Sequence, residues 1–194
     1  MLSFHLVGQS KNPSFSALSS PEKWWVIWHP FKAKRALEVS LRTLAITDSI
    51  KATGCLDTDI SGGRLDAFKH CFWMASLSTH IGKKAGLRLG RAHEKGNYRS
   101  FLNGNLEDGY LPDKASSTMD LFNNEAGAQM FTNHPGSTEI EFIRLTLQKI
   151  QKGELRILKK DGNVFLNCQG KPISEASLQG RWENDKCLVP SNEP

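Results

Sequence analysis

Apolar residues recur at helical spacing through most of this chain, and the interruptions mark where each helix starts and stops. Pro30 suits the first turn of a helix, and Ala36, Leu37, Leu41, Leu44 and Ala45 keep an amphipathic period to about Lys51. A second, longer set (Leu65, Phe68, Phe72, Ala75, Ile81, Ala85, Leu89) predicts one buried helix from Arg64 to Gly90, with Gly82 and Gly86 allowing close packing or a bend. Residues 97–116 hold Gly, Asn, Asp and Pro and read as a long loop, of a length that usually covers a pocket. Ser116 and Ser117 are candidate caps for a helix carrying Met119, Phe122, Ala126 and Met130, which His134-Pro135-Gly136 ends. Thr138-x-x-Glu141 is a capping box for a last helix with Ile140, Ile143, Leu147 and Ile150 on its core face.

Beyond Gly153 the period changes. Leu155–Leu158 and Val164–Leu166 flank Asp161-Gly162 and predict a β-hairpin, followed by an irregular tail. The expected fold is therefore mainly α: a flexible lead-in at 1–22, a single helical domain at 23–152, and a small C-terminal β-hairpin with its tail at 153–194.

The polar residues inside these apolar segments change the picture. Asp66 and His70 are four apart and share a helix face, as do Asp120, Asn123 and Asn124; His93-Glu94 lies between the two sets. A buried carboxylate or imidazole is costly unless it meets a partner, a ligand or a metal, so these residues point to a site. Two chemistries fit. In one, His70, His93 and Asp120 hold a divalent metal ion, with imidazole and carboxylate donors converging from separate helices. In the other, His70 is a general base oriented by Asp66 or Asp120, with Glu94 beside them. Lys69, Asn123 and Asn124 then bind substrate and stabilise developing negative charge. Each residue also has a structural role open to it: Asp66 can favour its helix dipole, His70 can bond a carbonyl, and Asp120 can help to cap its helix. A Gly-x-Ser-x-Gly, a His-Glu-x-x-His, a Walker loop and a dinucleotide fingerprint are all missing. Asp57 and Asp59 lack the acidic residue that would close a calcium loop and are read as solvated, and Gly62-Gly63 is a weak anion-binding signal ahead of a helix.

Composition narrows the partners slightly. A formal charge of +5 suits an anionic partner without selecting lipid, nucleic acid or cell-wall polymer. Trp24, Trp25 and Trp28 are read chiefly as a plug for the helical core, with peripheral membrane contact as the other use of such a cluster. No apolar run is long enough to span a bilayer, and the first residues lack a charged start followed by a long apolar run; the expectation is a cytoplasmic protein or one exported without that signal. Among four cysteines, Cys71 is expected as a buried thiol, and Cys168 and Cys187 as a pair if the protein is exported.

The motifs Asp66-Ala67-Phe68-Lys69-His70, Ala92-His93-Glu94 and Met119-Asp120-Leu121-Phe122-Asn123-Asn124 together resemble an uncharacterised bacterial family, common in Bacteroidetes, known only as a domain of unknown function. Trp28–Lys34 is similar to the same relatives, and the resemblance covers roughly residues 24–132. Such domains occur in predicted lipoproteins and in polymorphic toxin-like proteins. The resemblance therefore implies an exported enzyme or effector, and the motif residues as a shared site. The His93-Glu94 doublet is loosely similar to that of His-Asp metal phosphohydrolases. Lys69-His70-Cys71 resembles the helix of small bacterial phospholipases A2, although Cys71 replaces the Asp that calcium would need. The expected function is a hydrolase acting on anionic envelope lipid or cell-wall polymer, with no specific nucleic acid partner. A non-enzymatic adaptor whose motif residues form a hydrogen-bond network is the alternative.

Overall fold

The helix Arg64–Ile81 (α3) is the axis of the molecule, and every residue from Leu65 to Ala75 on it is buried. A computed structural model describes residues 15–107 and 109–193. Among them the order is α1 (Ser20–Trp28), α2 (Pro30–Thr53), α3, α4 (Lys83–Leu102), α5 (Lys114–Asn133), α6 (Glu139–Gln151) and the short α7 (Glu175–Leu178). Short strands β1 (Arg156–Leu158), β2 (Lys160–Asp161) and β3 (Val164–Phe165) precede α7, and β4 (Leu188–Pro190) follows it. The protein is mainly α, as its periodicity predicts. Helix α3 packs against α2, α4, α5 and α6, which explains why its sequence is apolar on every side. Trp73, Phe68, Phe72, Met74 and Leu77 are almost fully buried on it, each stabilising the fold by roughly 1.5–3 kcal/mol relative to exposure.

The expected single helix over 64–90 is two helices. Gly82, at φ 88°, turns the chain back. Met74 then meets Gly86 and Gly90 while Trp73 reaches His93, so α3 and α4 run antiparallel. The helical period continues across Gly82 because both arms bury their apolar face in the same core. Helix α4 extends to Leu102, so the loop expected at 97–116 is confined to 103–113. The cap of α5 is Asp113, not Ser116 or Ser117: its Oδ1 accepts from the Ser116 amide at 2.8 Å, and Oδ2 pairs with Lys186 at 2.6 Å. Pro30, the Thr138–Glu141 box and the stop after Asn133 stand where the pattern predicts.

The lead-in at 1–22 lies outside the described residues up to residue 14. From Phe15 onward it is structured: Glu22, buried in the first turn of α1, accepts from Ser19 N and Oγ at 2.8 and 2.7 Å. The hairpin is also smaller than expected. Only β2 and β3 pair around Gly162, whereas β1 pairs antiparallel with β4, Ile157 opposite Val189. The C-terminal segment is thus anchored rather than loose. A Cys168–Cys187 disulfide ties it down, and the Leu155 amide donates to Ser191 Oγ at 3.3 Å. Trp25 fills the core as expected, but Trp24 and Trp28 are exposed. Asp57 and Asp59 are half-buried and structural. Asp57 accepts from the Arg64 and Leu65 amides at 2.8 and 3.2 Å, and Asp59 pairs with Lys160. The Asp57 carboxylate occupies the start of α3, where Gly62-Gly63 suggested an anion site.

Candidate functional site

Three helices bring the motif residues into one buried polar cluster. Asp66, Lys69 and His70 come from the first turns of α3, His93 and Glu94 from the middle of α4, and Asp120 and Asn124 from α5; all are buried. The close approach has a local cause. A Cβ on Gly127 would lie 2.1 Å from the Cys71 carbonyl oxygen, so α5 rests directly on the backbone of α3. Gly86 and Gly90 do the same for α4 against Met74, and Gly90 also against Asn124.

His70 Nε2 sits between two carboxylates, 3.4 Å from Asp66 Oδ1 and 3.3 Å from Asp120 Oδ1. These contacts are longer than charge-assisted hydrogen bonds of about 2.7–2.9 Å. Asp120 Oδ1 and His70 Nδ1 have no hydrogen-bond partner among the described residues, whereas Asp66 Oδ1 is held by an ion pair. Lys69 Nζ lies 2.7 Å from Asp66 Oδ1, and Asp66 Oδ2 accepts from the Gly62 amide at 2.8 Å. Both amide atoms of Asn124 and Glu94 Oε1 are buried without a hydrogen-bond partner among the described residues, an unusual concentration in a native interior.

His93 is nearby but differently engaged. Its ring centre is 6.5 Å from that of His70, and Trp73 lies edge-on to it at 6.3 Å. Nδ1 is 3.2 Å from Glu22 and Nε2 is 3.2 Å from Glu107. Both ring nitrogens are engaged by these carboxylates, and His93, expected beside His70 and Asp120 as a ligand, is not among the clustered donors. The group whose donor atoms all lie within 4.8 Å of one another is Asp66, His70 and Asp120. Asn123, expected to bind substrate, is taken up by the fold: Nδ2 donates to the Arg156 carbonyl and Oδ1 accepts from its amide, both at 2.9 Å. Two site residues escaped sequence reasoning. Glu22 shows only as the fourth position of a Ser-x-x-Glu cap, and Glu107 lies in a loop with no periodicity to mark it.

The electrostatics follow from an excess of acid. Glu22, Asp66, Glu94, Glu107 and Asp120 share this region with Lys69 and two imidazoles. Burial pushes Asp120 well above the carboxylate range, and the negative charges of Asp66 and Glu94 push it further. Burial also raises Glu94. His70 is lowered to about 4 by burial, against the opposing pull of Asp66, and is therefore neutral at pH 7. Asp66 is lowered despite its burial, because Lys69 and His70 compensate. His93 behaves oppositely. Burial pushes it down, yet Glu107 and Glu22 raise it to about 9; Glu22, also opposed by burial, is lowered by His93 to about 2.

A family model for a domain of unknown function, DUF6973, matches residues 23–154. The chain belongs to the DUF6973 family. No curated protein and no solved structure matches it. The matched span contains every motif residue above and Glu107, with Glu22 one residue before it, while β4 and the disulfide lie beyond the match.

Proposed function

We propose that this DUF6973 domain is a metal-dependent hydrolase whose reaction centre is Asp66, His70 and Asp120. One observation carries the reading: three donor atoms from two helices, buried, mutually 3.3–4.8 Å apart, and not satisfying one another by hydrogen bonds. Bonds of ~2.1 Å to a tetrahedral ion set neighbouring donors ~3.4 Å apart, which is the separation of Nε2 from each carboxylate oxygen. One imidazole with two carboxylates suits zinc, manganese or iron. A cation there also offsets the surplus of acid that burial and the charges of Asp66 and Glu94 impose on Asp120. Such an ion supplies a water of lowered pKa. Glu94, buried with Oε1 4.0 Å from His93 Nε2, is then a base or acid within the same region, and Asn124 offers an amide to a substrate oxygen. A purely structural network is disfavoured, because buried networks that only stabilise satisfy their members.

A second reading keeps one observation on its side. Lys69 already neutralises Asp66 at 2.7 Å. Without a metal, neutral His70 accepts a proton from water and protonated Asp120 donates one to the leaving group. The substrate class is envelope lipid or cell-wall polymer, in an exported or effector setting, as the bacterial resemblance suggests. Assaying wild type, His70→Ala and Asp120→Asn on a panel of phospholipids, acyl esters and glycan polymers, with and without chelator, tests both readings. Activity lost on chelation and in both variants supports the first. Activity that survives chelation but not His70→Ala supports the second. Equal activity in all three proteins, or none on any substrate, contradicts both.

A further inference from the structure

The basic residues of this domain are not spread evenly. Lys84, Arg88, Arg91, Lys95 and Arg99 are all exposed on α4. Their spacing confines them to an arc of roughly 80° over roughly 22 Å of helix. The single acid of α4, Glu94, is buried instead. None of the five is paired with a carboxylate among the described residues. Unpaired like charges in one row repel one another, and no packing interaction explains the row.

At the start of this row the molecule presents its most exposed apolar corner. Helix α1 ends and α2 begins there. Phe31 is 99% exposed, Trp28 76%, Trp24 59% and Ile27 56%. The corner is fixed against the beginning of α4: Trp25 Nε1 donates to the Ala85 carbonyl at 3.2 Å, and Lys32 Nζ donates to the Ile81 carbonyl at 2.6 Å. Lys34 and Arg35 are exposed beside it. A side chain that folding leaves open gains nothing from the core, and four large ones together are unusual on a soluble surface.

We propose that the α1–α2 corner and the exposed face of α4 form one docking surface for an anionic lipid bilayer. Trp24, Ile27, Trp28 and Phe31 enter the boundary between headgroups and acyl chains, where an aromatic ring with a polar edge is most stable. The α4 row lies against the anionic headgroups, within reach of their surface potential. Charge complementarity selects the partner: five unpaired cations need negative charge. The apolar group separates a bilayer from a nucleic acid. It is gathered at one protruding corner, not interleaved with the cations as base-stacking rings are, and Ile27 has no ring to stack. This inference holds whether or not the buried cluster hydrolyses anything.

Flotation of the full chain with phosphatidylcholine vesicles, with and without phosphatidylglycerol, tests it. Wild type is expected to float only with the phosphatidylglycerol vesicles. Trp28→Ala/Phe31→Ala and Arg88→Glu/Arg91→Glu are each expected to reduce that partition at least about tenfold. Both pairs are exposed, so the melting temperature should not move, which separates lost docking from lost fold. Wild type remaining unbound overturns the proposal. So does flotation indifferent to either double variant, or a single-stranded RNA that binds more tightly than the vesicles and ignores Trp28 and Phe31.

Discussion

At His93 the physics runs against burial. An enclosed imidazole ordinarily loses its proton, yet Glu22 and Glu107 on its two nitrogens keep it charged up to about pH 9. Because the folded-state value exceeds the unfolded one, this group's stabilisation is complete below about pH 6.5 and is lost as pH rises through 9. Urea unfolding at pH 6, 7.5 and 9 should show stability falling by on the order of 2–3 kcal/mol across that range, with Glu22→Gln flattening the slope. Glu22 adds the mirror effect: its value is depressed, so its contribution is present above about pH 4.5 and lost as pH falls toward 2. Asp120 is the opposite case. It sits among like charges, so in chelator Asp120→Asn should leave stability unchanged or raise it by about 1 kcal/mol, as substitutions at strained functional positions commonly do. A loss of more than that would make Asp120 a structural residue.

The helices show how far local pattern reaches. Pro30, the Thr138–Glu141 box and the turn at His134 are readable because each is decided by neighbours a few residues away. The break at Gly82 is not, since the apolar period on either side is continuous and only folding back reveals it. The pairing of β1 with β4 is equally hidden, being made across the 29 residues between the strands. The site follows the same rule. Asp66, His70, Asp120 and Asn124 stand out as polar residues in apolar helices; all four are buried, and the donor atoms of the first three lie within 4.8 Å of one another. Which imidazole faces the carboxylates was not legible, because that depends on Glu22 and Glu107 claiming His93 from other elements. The α3–α5 contact that positions Asp120 allows a sharp test. Gly127→Ala forces a methyl onto the Cys71 carbonyl and should cost about 2–4 kcal/mol in denaturant unfolding. Gly104→Ala, strained only by its φ of 67° and touching nothing, should cost about 1 kcal/mol.

For the whole molecule, a helical body buries the polar cluster and the C-terminal segment braces it. Strand β4 holds β1, and β1 is hydrogen-bonded to Asn123 on α5, one turn from Asp120. The Cys168–Cys187 disulfide closes a loop of 19 residues' separation, worth about 3 kcal/mol by chain entropy. Cys168→Ser/Cys187→Ser should therefore lower the melting temperature while leaving the helical circular dichroism signal intact below the transition. No helix among the described residues is long and apolar enough to cross a membrane; the proposed bilayer contact uses only the exposed corner and the α4 face. The buried cluster is acid-rich around two imidazoles, and its meaning rests on whether Asp66, His70 and Asp120 act together on a cation. Calorimetric titration of chelator-stripped protein with zinc and manganese decides this. The account predicts one ion per chain, abolished in His70→Ala and Asp120→Asn and retained in His93→Gln; absence of binding in the wild type, or binding indifferent to His70, would contradict it.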